Sequence, residues 1–328
     1  MPMQGVGAET RRGPSGARAP PLAYVAVVVD DPGRVAAVFE RDLGLPRTEV
    51  PAPGGAVPWI AVGASAITLF GHDHEFVGGA ARSGVHHLAI ATPDPTARTA
   101  DCGFAASGAT PGLGGGTQVE LAARDTCGIA TRLCEPIAAN AGDAASDRVE
   151  RIDHIGIASE DNRAAGAVFT DRLGCPVEST QTDFEVSQAI ESFTSDKYGV
   201  VYHSRPPEPV GGLRVSFLTV GDCEMELLQP FDPRPVDGRA EGPVRGVPGN
   251  TRGDKGAIAR YIERRGPGLH HLALKTPDID ATLARLAGAG HRMIDHTGRP
   301  GSRRARIGFI HPASLGGLLL HFVERDDL

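Results

Sequence analysis

The residues with the clearest chemical potential are histidines and one acid, all set inside apolar, strand-like runs. The phrase His86-His87-Leu88-Ala89-Ile90-Ala91-Thr92-Pro93-Asp94 returns as His270-His271-Leu272-Ala273-Leu274-Lys275-Thr276-Pro277-Asp278. His154 stands alone in Ile152-Asp153-His154-Ile155-Gly156, and His321 is the lone polar group of Leu318-Leu319-Leu320-His321-Phe322-Val323. Each could be an ordinary core histidine satisfied by a hydrogen bond. Glu226 is harder to dismiss, because a carboxylate within Met225-Glu226-Leu227-Leu228 is costly to bury unless a cation or a metal accompanies it. Glu224 shares its face but lies nearer the preceding turn. Successive side chains of a strand alternate faces, so His271 is expected to point away from His270, and only one of the pair can be a ligand.

The elements that must position these residues repeat along the chain. Four related segments, the two His-His runs, the run around His154 and the fainter Tyr24-Val25-Ala26-Val27-Val28-Val29-Asp30-Asp31-Pro32, are short apolar strands ending in polar clusters able to cap a helix. Residues 162–173 then set Ala165, Val168, Phe169 and Leu173 at helical spacing, with Gly174 where a helix stops. Residues 35–43 before Gly44, and 279–288, do the same. Further strands are predicted at 213–219, 223–228, 305–310 and 317–323. The pattern predicts an α+β fold of four βαβββ modules near 22–72, 84–137, 150–231 and 268–326.

Residues 1–20 lack the apolar centre of a signal peptide and are expected to form a disordered leader. Residues 21–137 are expected to form one domain, 138–149 a linker, and 150–328 a second domain, with a long Pro/Gly/Arg-rich loop at 232–253 inside it. The chain of 328 residues is 41% hydrophobic and 22% charged, as expected of a globular protein of two ordinary domains. Its net charge of −7 argues against a nucleic-acid surface, and no apolar run approaches the roughly 20 residues of a membrane span. A cytoplasmic protein with no nucleic-acid or membrane partner is expected, and a homodimer is compatible with the pattern. The five cysteines, Cys102, Cys127, Cys134, Cys175 and Cys223, show no CxxC spacing and read as reduced thiols.

Across residues 150–326 the chain resembles the vicinal oxygen chelate superfamily, the group of glyoxalases, bleomycin-resistance proteins and extradiol-type dioxygenases, and is most similar to its methylmalonyl-CoA epimerase branch. The resemblance rests on Asp153-His154-Ile155-Gly156, on Val220-Gly221-Asp222 before Met225-Glu226-Leu227-Leu228-Gln229-Pro230, and on Ile258-Ala259-Arg260-Tyr261-Ile262-Glu263 before Gly268-Leu269-His270-His271. Arg299-Pro300-Gly301 before Phe309-Ile310-His311-Pro312 and Gly316-Gly317 completes it. It implies module pairs curled into two open, cup-like mixed sheets, with one divalent metal ion at the floor of a cup. Metal ligands then fall on His154, Glu226 and His271, and the slot of the family's fourth ligand, a glutamate, holds His321. His321 is expected to be a ligand or a base, and His270 to pack or to hydrogen-bond a ligand. Zinc, iron, manganese, cobalt and nickel all suit imidazole with carboxylate. In the first domain the same slots hold Tyr24, Thr68 and Arg132, leaving only His87, so that domain is expected to be a scaffold without a full metal site.

The extra stretch 183–210 carries Glu191 and Tyr202, candidates for an acid or base on a lid; a plain surface hairpin is the other reading. Arg299, Arg303 and Arg304 form a cluster that could dock a substrate phosphate or carboxylate, or merely a solvated basic edge. Three neutral imidazoles and a carboxylate would leave a divalent ion with about +1 charge, which favours a small-molecule substrate with two chelating oxygens. The expected reaction is redox-neutral enolisation of epimerase, isomerase or lyase type, on an acyl-CoA or related thioester. The family's second glutamate falls on Val215, a departure from the epimerase pattern. The alternatives are a non-haem iron dioxygenase of extradiol or keto-acid type, and a binding or resistance protein without chemistry.

Overall fold

The computed structural model describes residues 19–80, 82–140, 146–187, 190–204, 208–232 and 251–326. Most of the expected leader, the middle of the linker and most of the expected 232–253 loop lie outside the described residues. The first half runs β1 (Leu22–Val28), α1 (Pro32–Arg41), β2 (Arg47–Val50), β3 (Val57–Val62), β4 (Ser65–Phe70), β5 (Gly84–Ala91), α2 (Pro95–Asp101), β6 (Thr110–Pro111), β7 (Thr117–Glu120) and β8 (Thr131–Cys134). The second half begins with β9 (Arg151–Ala158), α3 (Asn162–Ala167), β10 (Val177–Ser187), β11 (Ile190–Ser195), β12 (Gly199–Ser204), β13 (Glu208–Val220) and β14 (Cys223–Phe231). It ends with α4 (Thr251–Arg265), β15 (Gly268–Lys275), α5 (Ile279–Gly288), β16 (Arg299–Pro300), β17 (Arg306–Ile310) and β18 (Leu320–Glu324).

Two eight-stranded mixed sheets result, ordered β2-β3-β4-β1-β5-β8-β7-β6 and β10-β13-β14-β9-β15-β18-β17-β16. Each is a doubled βαβββ unit: the first strands of its two modules pair antiparallel at the centre, and each is flanked by the last strand of its own module in parallel. The expected α+β architecture is therefore present. The acids that end the strands cap the helices as their sequence suggested: Asp31, Asp94, Asp161 and Asp278 accept from backbone N–H groups of α1, α2, α3 and α5. Central strands are buried on both faces, and their outer faces are apolar. Their outer faces join one core that takes Val25, Val27, Leu69 and Leu88 from the first sheet and Ile155, Ile157, Met225 and Leu272 from the second. Each such fully buried side chain contributes about 1.5–3 kcal/mol.

Two β-bulges recur in each sheet, a feature that strict alternation does not predict. In β9, Ile152 and His154 pair with consecutive residues Leu274 and Ala273, leaving Asp153 as the extra residue; in β15, Leu269 and His271 pair with Ile157 and Gly156, leaving His270. The first sheet repeats both, with Ala23 and His86 as the extra residues. A bulge turns its extra side chain toward the side its neighbour faces. The expectation that His270 and His271 point to opposite layers is thereby corrected, since both line the same cavity.

α4 is a second departure. Its gly- and charge-rich sequence has weak amphipathic patterning, yet Ile258 packs against Leu213, Val215, Phe217 and Leu228 inside the second cup. Tertiary contact, not propensity, fixes this helix.

The first cup is filled by its own side chains. The register puts Ala26 opposite both Thr68 and His87, and Ala89 opposite Arg132, so Tyr24, Thr68, His87 and Arg132 occupy the slots of His154, Glu226, His271 and His321. Tyr24 lies 3.3 Å from His87 Nε2 and 3.5 Å from Gln118 Oε1 through its hydroxyl, and Arg132 donates to Gln118, Glu120 and the carbonyl of Phe76. Trp59, Phe70 and Phe76 complete the filling. Burial pushes the Tyr24 hydroxyl far above its usual pKa and His87 well below, so both are neutral hydrogen-bonding groups. Tyr24→Phe is expected to lower unfolding free energy by about 1–3 kcal/mol, because it strands a buried polar partner, without changing metal content. Denaturant melts and elemental analysis check this.

Candidate metal centre

Three strands of the second cup bring His154, His271 and His321 together: one donor nitrogen from each ring lies within 4.8 Å of the others. All three are at most 5% exposed. Glu226, on β14, places Oε2 3.2 Å from His154 Nε2 and 3.6 Å from His271 Nε2. The expected four residues thus converge, with Glu226 beside two members of the tight imidazole group.

The bulges account for the orientation of two of the rings. Asp153 Oδ1 accepts from His154 Nδ1 at 2.7 Å, which leaves Nε2 facing Glu226 and His271. His270 Nδ1 lies 3.0 Å from His271 Nδ1, so with His271 protonated there its Nε2 lone pair faces the cluster. Carboxylate or imidazole partners of this kind fix tautomer and ring plane in metal sites. His321 is different: neither ring nitrogen has a hydrogen-bond partner among the described residues, although the ring is buried. A neutral imidazole left so is costly, and a cation shared with His154 and His271 would satisfy it. The donor set and this orphaned ring together fit a divalent transition ion held by His154, His271 and His321 with Glu226.

Gly156 makes the cluster sterically possible. A Cβ there would collide with the imidazole of His271, so only glycine lets that ring lie across β9. The equivalent position in the first half is Ala26, opposite His87.

Electrostatics follow from the same packing. Burial would raise the Asp153 carboxyl, but the His154 hydrogen bond and the guanidiniums of Arg325 and Arg151 outweigh it and hold the group below the usual carboxylate range. Burial opposes protonation of His154, yet Glu226 and Asp153 prevail and raise it to about 9. Glu226 is held well below its ordinary value by His154 and His271 despite burial. Burial, reinforced by neighbouring imidazoles, pushes His321 well down and His270 to about 3, so both are neutral.

Around the cluster lies a cavity of about 540 Å³. Asp153, Gln181, Asp183, Arg299, Arg303 and Arg325 supply its polar lining, and Phe217, Ile258, Ile294, Ile307 and Phe309 part of its apolar lining. Of the expected substrate-binding arginines, Arg299 lines the cavity and lies over the Phe309 ring, its carbon 5.5 Å from the centroid. Arg303 also lines it but is engaged with Glu224 at 2.6 Å, Glu178 at 3.0 Å and Asp153 at 3.6 Å. Arg304 is exposed and is not among the cavity residues. Tyr202 sits on the β11–β12 hairpin, 73% exposed and outside the cavity lining, and Glu191 is on the same hairpin opposite His203. Sequence reasoning passed over Asp153 and Gly156, although both stand in the quoted Asp153-His154-Ile155-Gly156 motif.

Residues 153–309 match the family model described as the Glyoxalase/Bleomycin resistance protein/Dioxygenase superfamily. That match lies in the second half of the chain. Among curated relatives, methylmalonyl-CoA epimerase of Dictyostelium discoideum is 27% identical over 135 residues, covering 40% of this chain and 69% of the relative. The ethylmalonyl-CoA/methylmalonyl-CoA epimerase of Cereibacter sphaeroides is 26% identical over 179 residues, 54% of this chain and 98% of the relative. A triple mutant of 4-hydroxymandelate synthase from Streptomyces coelicolor shares the fold across both halves: TM-score 0.57 and 15% identity, covering 94% of this chain and 93% of that one.

Two outcomes are expected. Gly156→Ala should abolish stoichiometric uptake of zinc or cobalt while the circular dichroism spectrum persists, since it displaces one imidazole. In chelator-treated protein, the His154 contribution to stability should be complete below its unfolded pKa near 6.5 and vanish as pH rises through about 9. Because an incoming ion must displace that proton, its affinity should rise by up to about tenfold per pH unit across this window; thermal melts and competition titrations read the two effects.

Proposed function

We propose that the second cup is the active site of a divalent-metal-dependent enzyme that enolises a small substrate through two neighbouring oxygens, in redox-neutral chemistry of epimerase, isomerase or lyase type. The observation that carries this reading is the convergence of three buried imidazoles beside Glu226, one of them with no hydrogen-bond partner among the described residues. A bound divalent ion supplies positive charge beside two substrate oxygens and so acidifies the adjacent C–H.

The chain's own residues do the rest. Asp153 and His270 hold two rings with their Nε2 atoms turned inward. No hydrogen bond from the described residues fixes the tautomer of His321, so it can offer a lone pair to the ion or to the substrate's α-proton. Apolar side chains around the cluster exclude water and strengthen the electrostatics there. Val215 and Ile307, at matching register positions on the two sides, carry no acid or base. This favours a single proton-transferring group over a two-base epimerase. Acyl thioesters, the substrate type in the names of the epimerase relatives, are the first compounds to assay.

The three-imidazole group also suits an iron-dependent dioxygenase, since few protein ligands leave room for oxygen and substrate. The two readings separate in one experiment. Metal-loaded protein is expected to exchange the α-hydrogen of an acyl thioester or hydroxy ketone with deuterated solvent without consuming oxygen. Iron-dependent oxygen uptake on phenolic or keto-acid substrates would overturn the enolisation reading. His321→Ala should lower exchange at least about 100-fold, and its metal content separates a lost ligand from a lost base.

A further inference from the structure

The second cup is built from two matching sides, and among the described residues an α-helix lies over one of them. Phe217 pairs with Glu226 and Val215 with Leu228; on the other side Phe309 pairs with His321 and Ile307 with Val323. Glu226 and His321 hold equivalent register positions, so two apolar strips lead away from the cluster in opposite directions. Along the first strip, Ile258 of α4 is 2% exposed against Leu213, Val215, Phe217 and Leu228. Along the second, no α-helix among the described residues lies over the strip; Ala305 packs on Val323 and Gly301 lies against Ile307, so Val323 is already buried. Ile307 and Phe309 are only partly buried there and Ile294 is 51% exposed, yet all three line the cavity together with Leu319 and Val323. An apolar wall that ends at the catalytic cluster and is left open to the cavity is what a bound apolar group would cover.

We propose that the substrate carries an apolar tail, alkyl or aryl, that lies along Phe309, Ile307 and Ile294 while its two oxygens meet the metal centre. The tail takes, on this side of the cup, the place that Ile258 takes on the other. Strand rise puts Val323 about 7 Å beyond His321, which suits a tail of about four to six carbons. Past it stands Arg325, ion-paired with Asp153 and Glu224, so the apolar strip ends there. The inference rests on the reading of the cluster as a metal centre, and its test distinguishes the two.

Zinc- or cobalt-loaded protein is titrated calorimetrically with acetohydroxamate, butanohydroxamate, hexanohydroxamate and decanohydroxamate, bidentate oxygen chelators that differ only in tail. Each methylene up to six carbons is expected to tighten binding by about two- to fourfold, with a plateau between hexano- and decanohydroxamate. Ile307→Asn should cut the ratio of hexano- to acetohydroxamate affinity at least about tenfold. Acetohydroxamate binding with a flat series, or an undiminished ratio in Ile307→Asn, overturns the tail and leaves the metal centre standing. Failure to take up metal, or to bind acetohydroxamate at all, overturns the metal centre and the tail with it.

Discussion

The antiparallel pairing of β9 with β15, with one extra residue in each strand, is the constraint on which the second cup depends. That pairing sets Gly156 opposite His271 and Ala273 opposite His154, so the two imidazoles approach across the central strands. The bulges then bring Asp153 and His270 to the same side as the rings they orient. Parallel pairing of β14 to β9 and of β18 to β15 adds Glu226 and His321 from the flanks. A register slip of one residue in any of these pairs would send its donor to the opposite face. The shared core of outer-face aliphatic residues makes such a slip expensive, since it would expose that whole set.

The two halves keep one backbone and differ in what fills it. Both bulges persist in the first sheet, but Ala23 stands where the second has Asp153, and Ala26 where it has Gly156. Tyr24, Gln118 and Arg132 then supply a hydrogen-bonded plug beside His87. These groups hydrogen-bond one another and include a guanidinium that repels a cation, although Thr68 Oγ1 and Trp59 Nε1 beside them have no hydrogen-bond partner among the described residues. The second cup, by contrast, sets Glu226 beside three imidazoles and leaves His321 without a hydrogen-bond partner among the described residues, a donor set that could hold a metal ion in place of the His154 proton.

Much of this was legible along the chain. The repeated His-His phrase, the capping aspartates and the alternating apolar runs specify four modules, because strand and helix periodicities are local properties. His154, Glu226, His271 and His321 stand out by being polar where the run is apolar. Other residues could not be weighed so: Glu191 and Tyr202 lie in an insertion that reads as a lid or as a surface hairpin, and in the fold β11 and β12 of that insertion pair as a hairpin with Tyr202 facing solvent. Arg303 read as a substrate-binding cation, and in the fold its guanidinium meets three carboxylates.

The sequence by itself determined the modules, their duplication and the residue types of the cluster, since each of these depends on near neighbours in the chain. Only the tertiary structure decided that His270 shares the cavity with His271, that Asp153 orients His154, and that α4 covers one strip of the cup. Bulges, register and helix docking arise from contacts between segments far apart in the chain or from packing without a local signature. The spacing of residues along one strand carries no information about either.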